Sequence, residues 1–224
     1  SSSATSGKPS TISIDRITSK RQIKALATVM SAILGKNRRP FLVFDANPAV
    51  VGISALGARN AAVRGFLNLA REARYVMDLD SQGNPIPNLK LLDRELEELA
   101  KQNEPIVVLG FTFVLYSYGV KPLLNMNKSF PLPTGSKVIH IGGWKKLQDQ
   151  SVSKSVFNST VVELFSIKEQ DIVDFLNEEA DAYGLANMFT LMMENTHYKN
   201  YNYASLDDFK NWAAWYVLET VAHN

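Results

Sequence analysis

Pro40-Phe41-Leu42-Val43-Phe44-Asp45 is the stretch on which the fold turns. Four apolar residues run without a polar break between a proline and an aspartate. The run is too short for a buried helix and lacks the alternation of a strand with one wet face, so it reads as a strand covered on both sides. The pattern returns at Ile106-Val107-Val108-Leu109, introduced by Pro105, and at Lys137-Val138-Ile139-His140-Ile141, with Tyr75-Val76-Met77 as a shorter candidate. Helical spacings lie between these runs. Ile23, Leu26, Ala27, Met30, Ile33 and Leu34 recur every three or four positions up to Gly35, behind a capping-box pair of Ser19 and Gln22. Ala58, Ala62, Gly65, Phe66 and Leu69 mark a helix over 56–72, and Leu89, Leu92, Leu96 and Leu99 mark another. Ser153 opens a last stripe of Phe157, Val161, Leu164 and Phe165. Strands separated by helices mean βαβ units. The predicted fold is therefore α/β with a mainly parallel sheet flanked by helices, its strands near 41–45, 74–78, 106–110 and 137–141. Residues 81–88 (SQGNPIPN) and the Pro- and Asn-rich 121–135 read as connections.

Composition narrows the function classes. The 224 residues carry 24 basic and 22 acidic side chains, a net charge of +2, which gives no footprint for nucleic acid or an anionic membrane. No apolar run approaches the roughly 18–20 residues of a membrane span, and no signal segment opens the chain, so a cytoplasmic protein is expected. There is no cysteine, which excludes disulfides, thiolate metal sites and a thiol nucleophile within this chain.

Two glycine-bearing stretches are candidates for ligand contact. The opening SSSATSGKPS reads either as a flexible leader or as a phosphate loop, in which small residues let backbone N–H groups approach phosphate and hydroxyls add donors. It is not a Walker A loop, because no glycine stands five positions before Gly7. Gly142-Gly143-Trp144 follows a strand directly, where it is either a tight turn or a place for a flat ligand to approach the backbone. His140 reads as a packed strand residue rather than a ligand or base, since no carboxylate or histidine cluster accompanies it. The arginines of 56–72 read as a solvated face, and the aromatic stripe near the end (Phe209, Trp212, Tyr216) as core.

Taken together, three collinear stretches resemble the LuxE-type acyl-protein synthetases of bacterial luciferase systems, within the adenylate-forming superfamily. SSSATSGKPS resembles the superfamily's Ser/Thr/Gly-rich phosphate loop, VLGFTFVLY (108–116) the segment lining the carboxylate substrate pocket, and IHIGGWKKL (139–147) the signature near the adenine site. The resemblance covers roughly residues 1–175 and implies a partial synthetase-like domain there, followed by a divergent, aromatic-rich helical tail over 176–224. It implies activation of a fatty acid by ATP and Mg²⁺ as an acyl-adenylate, with acyl transfer onward and an acyl-reductase partner. It implies nucleotide contact by Thr5, Ser6, Gly7, Gly142, Gly143 and Trp144, and a substrate pocket at Gly110, Phe111, Thr112 and Phe113. Lys8 would be the catalytic cation and Glu178 the metal ligand.

The departures shape the expectation. Ser3 and Ala4 replace a more Gly-rich pair. The family's Asp-Phe-Tyr-Gly-x-Thr-Glu motif is broken: Asp174-Phe175 continues as Leu176-Asn177-Glu178-Glu179, while Tyr183-Gly184 comes later with Asn187 in the acidic position. The chain thus reads as an internal piece of a larger enzyme, with little turnover expected of it. The alternative is a non-catalytic acyl- or nucleotide-binding module of the same fold.

Overall fold

The structure is a computed structural model and describes residues 16–51, 63–83, 85–142, 144 and 149–175. These fall into two compact units. The smaller comprises 16–37 with 63–69. Its main element is the Arg16–Leu34 helix, which buries Val29, Met30 and Leu34. Gly35 ends the helix with φ +78°, its N–H bonded to the Ser31 carbonyl at 2.9 Å, as expected of a glycine stop. Ser19 lies inside the helix, not at its cap. The Ser-x-x-Gln spacing is short enough to arise by chance, and Arg16-Ile17-Thr18 before it are themselves helical. Residues 63–66 are helical and Leu67–Leu69 tighten into a 3₁₀ turn, so the helix predicted over 56–72 ends early. Within this unit a Cβ on Gly65 would fall 2.7 Å from Cδ2 of Leu26, so the glycine lets the two segments meet.

The larger unit, 38–51 and 70–175, is built on a six-stranded sheet: β1 (Arg39–Ala46), β2 (Ala70–Leu79), β3 (Pro85–Pro87), β4 (Val107–Phe111), β5 (Lys137–Ile141) and β6 (Ile172–Asp174). Their spatial order is β3-β2-β1-β4-β5-β6, and every pairing is parallel except that of β2 with β3. The fold is α/β with a mainly parallel sheet, as the buried runs require. From Phe41 to Ala46 β1 is buried, and so is all of β4. Each Val, Leu, Ile or Phe buried in this way contributes about 1.5–3 kcal/mol. The sheet has two short strands that the sequence reading placed in connections or passed over. Pro85-Ile86-Pro87 is an edge strand, where proline's missing N–H costs no ladder bond. Ile172-Val173-Asp174 is only three residues long.

Two helices of this unit flank the sheet. Leu89–Lys101 buries Leu92, Leu96 and Leu99, and the Asn88 side chain caps it by accepting the Leu91 N–H at 3.0 Å. Lys154–Phe165 starts as its sequence predicts, with Ser153 Oγ accepting the Val156 N–H at 3.3 Å. Its last carbonyls are taken up by the loop before β5, since the N–H groups of Phe130 and Leu132 bond to Leu164 and Phe165. The stretch 121–135, read as a loop, opens with a helical turn at Lys121–Asn125. No described helix is long and apolar enough to cross a membrane.

Candidate functional site

The chain passes outward from β1 to β2 and β3, then returns to lay β4 against the other side of β1. At such a reversal the connections leave the sheet in opposite directions and open a crevice outside the carboxyl ends of the strands. Next to the carboxyl end of β1 is Asp45, 2% exposed, whose carboxylate accepts the N–H of the last strand residue, Ala46, at 2.8 Å. Asn47 follows and accepts the Ala49 N–H at 3.0 Å, starting a helical turn at Pro48–Val51. The carboxyl end of β4 is Gly110-Phe111, followed by the buried Thr112.

Gly110 stands opposite Phe44 in the β1–β4 register, and a Cβ there would meet the Phe44 Cβ at 2.9 Å. Packing against β1 therefore already demands glycine at this position. After Thr112–Val114 the chain winds as a π-helix over Leu115–Val120, a widened turn often found beside functional sites. It presents Tyr116, whose ring stacks on Phe157 at 5.7 Å and meets Trp144 edge-on at 5.4 Å.

Phe111 pairs with Ile141 and Gly110 with His140 across the β4–β5 ladder. The chain leaves β5 through Gly142 at φ +69°, a left-handed conformation that suits glycine. Among the described residues nothing lies within 4 Å of where a Cβ on Gly142 would project. The glycine thus serves the turn, and among the described residues its flank is open. The Thr112 hydroxyl is bonded to the carbonyl of Gly142, lies 3.3 Å from that of Ile141, and sits 2.9 Å from Nδ1 of His140. The His140 ring packs on Phe157 at 4.4 Å. Burial pulls the imidazole below its ordinary pKa. Asp174, its neighbour on β6, works against that shift, and Lys154 works with it.

A family model, acyl-protein synthetase LuxE, matches residues 1–209. The chain belongs to the LuxE acyl-protein synthetase family. The family's activity is the activation of a fatty acid for acyl-protein synthesis, and its synthetases use ATP. No curated protein and no solved structure matches the chain.

Of the residues the family resemblance singles out, the structure describes six. Gly110, Phe111, Thr112 and Phe113 lie at the end of β4 and in the turn after it, and Gly142 and Trp144 lie just past β5. The β4–β5 ladder and the Thr112 hydrogen bonds bring the two groups side by side. Phe111 is 8% exposed and Phe113 is half-buried. Thr5, Ser6, Gly7, Lys8, Gly143 and Glu178 lie outside the described residues, as does the whole of 176–224.

Sequence reasoning missed two features. It took Asp45 only as the boundary of a strand, although a carboxylate closing a wholly apolar run is itself a signal. It read His140 as a packed strand residue, which its burial and its contact with Phe157 bear out, but not its bond to Thr112, which stands 28 residues away just past β4. Among the described residues no three histidines or carboxylates come together to hold a metal ion.

Proposed function

We propose that this chain takes ATP and a long-chain fatty acid at the carboxyl ends of β1, β4 and β5 and joins them as an acyl-adenylate. The observation that carries this reading is the adjacency of two stretches that resemble separate parts of the family's site: Gly110–Phe113 and Gly142–Trp144 flank the same end of neighbouring strands. In the reaction a carboxylate oxygen of the fatty acid attacks the α-phosphorus of ATP. The new bond is carboxylate oxygen to phosphorus, and the bond that breaks releases pyrophosphate.

Such a displacement needs alignment and oriented dipoles more than covalent help. The flank of Gly142, open among the described residues, suits close approach of a flat base to the backbone. Trp144, backed edge-on by the buried Tyr116, supplies aromatic surface just after it in the chain. Phe111 and Phe113 suit an apolar acyl chain, and the buried Thr112 would fix the end of β4 that carries them. We assign phosphate contact to Thr5, Ser6 and Gly7, and charge neutralisation at the reacting phosphate to Lys8. The metal role given to Glu178 remains a proposal for a residue outside the described part. We also assign the synthetase domain to 1–175, and to 176–224 a separate helical tail. The product would pass to an acyl-reductase partner, with the cytoplasm as the setting.

A second reading, a binding module without turnover, is favoured by one observation. Asp174, which closes β6, is followed by Phe175-Leu176-Asn177 where the family continues through Tyr-Gly to an acidic residue.

The test is exchange of labelled pyrophosphate into ATP with and without tetradecanoic acid. Slow exchange that requires the fatty acid is expected, in keeping with the broken Asp-Phe-Tyr-Gly motif. Binding of both compounds without exchange would select the second reading, and failure to bind either would overturn both.

A further inference from the structure

The contacts of Thr112 contain more than a link between two strands. A threonine hydroxyl has one hydrogen to give and lone pairs to receive with. Here its oxygen faces three atoms: the carbonyl oxygens of Gly142 and Ile141, and Nδ1 of His140. Neither carbonyl can donate. The hydroxyl hydrogen must therefore go to a carbonyl, and Gly142 is the nearer. Nδ1 then has to be the donor to Oγ1, since otherwise two lone pairs would face each other inside the protein, 4% exposed at His140 and 5% at Thr112.

We infer that Thr112 is a positioning residue for the nucleotide turn: its hydroxyl holds the Gly142 carbonyl and receives the Nδ1–H of His140, so one side chain sets both the backbone of the turn and the tautomer of the imidazole. The neutral ring then carries its lone pair on Nε2, the atom free to accept a hydrogen bond or a proton. The chain direction supports this division of labour. Thr112 is the first residue past β4, Gly142 the first past β5, and only this side chain spans the two ends through both a main-chain and a side-chain partner among the described hydrogen bonds. The part of the inference that concerns ATP rests on the function proposed above; the part that concerns the tautomer does not.

The experiment is a long-range ¹H–¹⁵N correlation spectrum of the wild-type chain, of Thr112→Val and of Thr112→Ser, read beside the KM for ATP in pyrophosphate exchange. The wild type should show His140 protonated at Nδ1. Thr112→Val keeps the shape of the side chain and removes the hydroxyl. It should move the proton to Nε2 and raise the KM for ATP roughly tenfold, the scale of one lost hydrogen bond with its partner left buried, with a smaller change in kcat. Thr112→Ser should restore both. A wild-type ring protonated at Nε2, or a Thr112→Val chain with the wild-type tautomer and KM, would overturn the inference. If Thr112→Val does not fold, the wild-type spectrum decides on its own. A chain that exchanges no pyrophosphate would sink the proposed function while leaving the spectrum to decide the tautomer.

Discussion

A Cβ built on Gly119 would fall 2.1 Å from Cε1 of Phe44, and one built on Gly110 would fall 2.9 Å from the Cβ of the same residue. Phe44 is fully buried, so neither its ring nor the π-turn can yield freely. Gly119→Ala should cost about 1–3 kcal/mol in urea unfolding, the usual cost of forcing atoms into a packed core. In a Phe44→Leu background the same change should cost less, because the ring atoms it meets are gone. Equal costs in the two backgrounds would mean that the clash is not with Phe44. His140 gives a residue-scale prediction of another kind. The unfolded chain takes up a proton at this residue near pH 6.5, while burial delays uptake in the folded chain to lower pH. Between those two values the unfolded state holds more protons, so stability rises with pH there. The contribution of neutral His140 is complete above about pH 6.5 and declines as the pH falls below it. Unfolding free energies at pH 7.5 and 5.5 should therefore differ more for the wild type than for His140→Asn, whose amide can still donate to Thr112. The same pH difference in both chains would contradict this.

At the scale of elements, the Lys154–Phe165 helix is held at its start by a side-chain bond that is simple to remove. Its first turn depends on Ser153, and Ser153→Ala should lower stability by about 1 kcal/mol, with the Val156 amide exchanging faster. An unchanged exchange rate would show that the cap adds nothing. The Leu89–Lys101 helix is fastened to β2 by Arg74, which reaches Glu95 at 3.0 Å and Glu98 at 3.5 Å. Burial alone would raise the pKa of Glu95, yet hydrogen bonds from Arg94 and Arg74 outweigh it and hold the carboxyl below the usual range. That contribution is present above the ordinary carboxylate pKa and is lost on acidification through the lowered one. Elements also show where sequence reading reaches its limit. Phe41–Phe44 and Val107–Leu109 were legible as strands because burial on both faces leaves an uninterrupted apolar run, and Val138–Ile141 because His140 is its one polar break. The π-turn at Leu115–Val120 was not, since one extra residue in a helical turn leaves no periodic trace over six positions. The edge strand Pro85–Pro87 was hidden by its two prolines, which ordinarily signal a turn.

At the scale of the whole molecule, the parallel sheet follows from a few short runs, while the site depends on a strand order that no local pattern encodes. That Gly110–Phe113 and Gly142–Trp144 are neighbours comes from β5 lying beside β4, and the reversal at β1 comes from the order β2-β1-β4. The absence of cysteine leads to a further expectation for the chain as a unit. Incubation with ATP and labelled tetradecanoic acid should leave no thioester on it, read as label released by neutral hydroxylamine. Such a label would place the acyl group on the thiol of a second protein in the preparation. The central claim is that nucleotide and carboxylate meet at the carboxyl ends of β4 and β5, and photoaffinity labelling with an azido-adenine analogue of ATP, followed by peptide mapping, tests it most directly. Label that ATP displaces should fall on the peptide containing Gly142–Trp144. Displaceable label confined to peptides away from the ends of these strands would contradict the account.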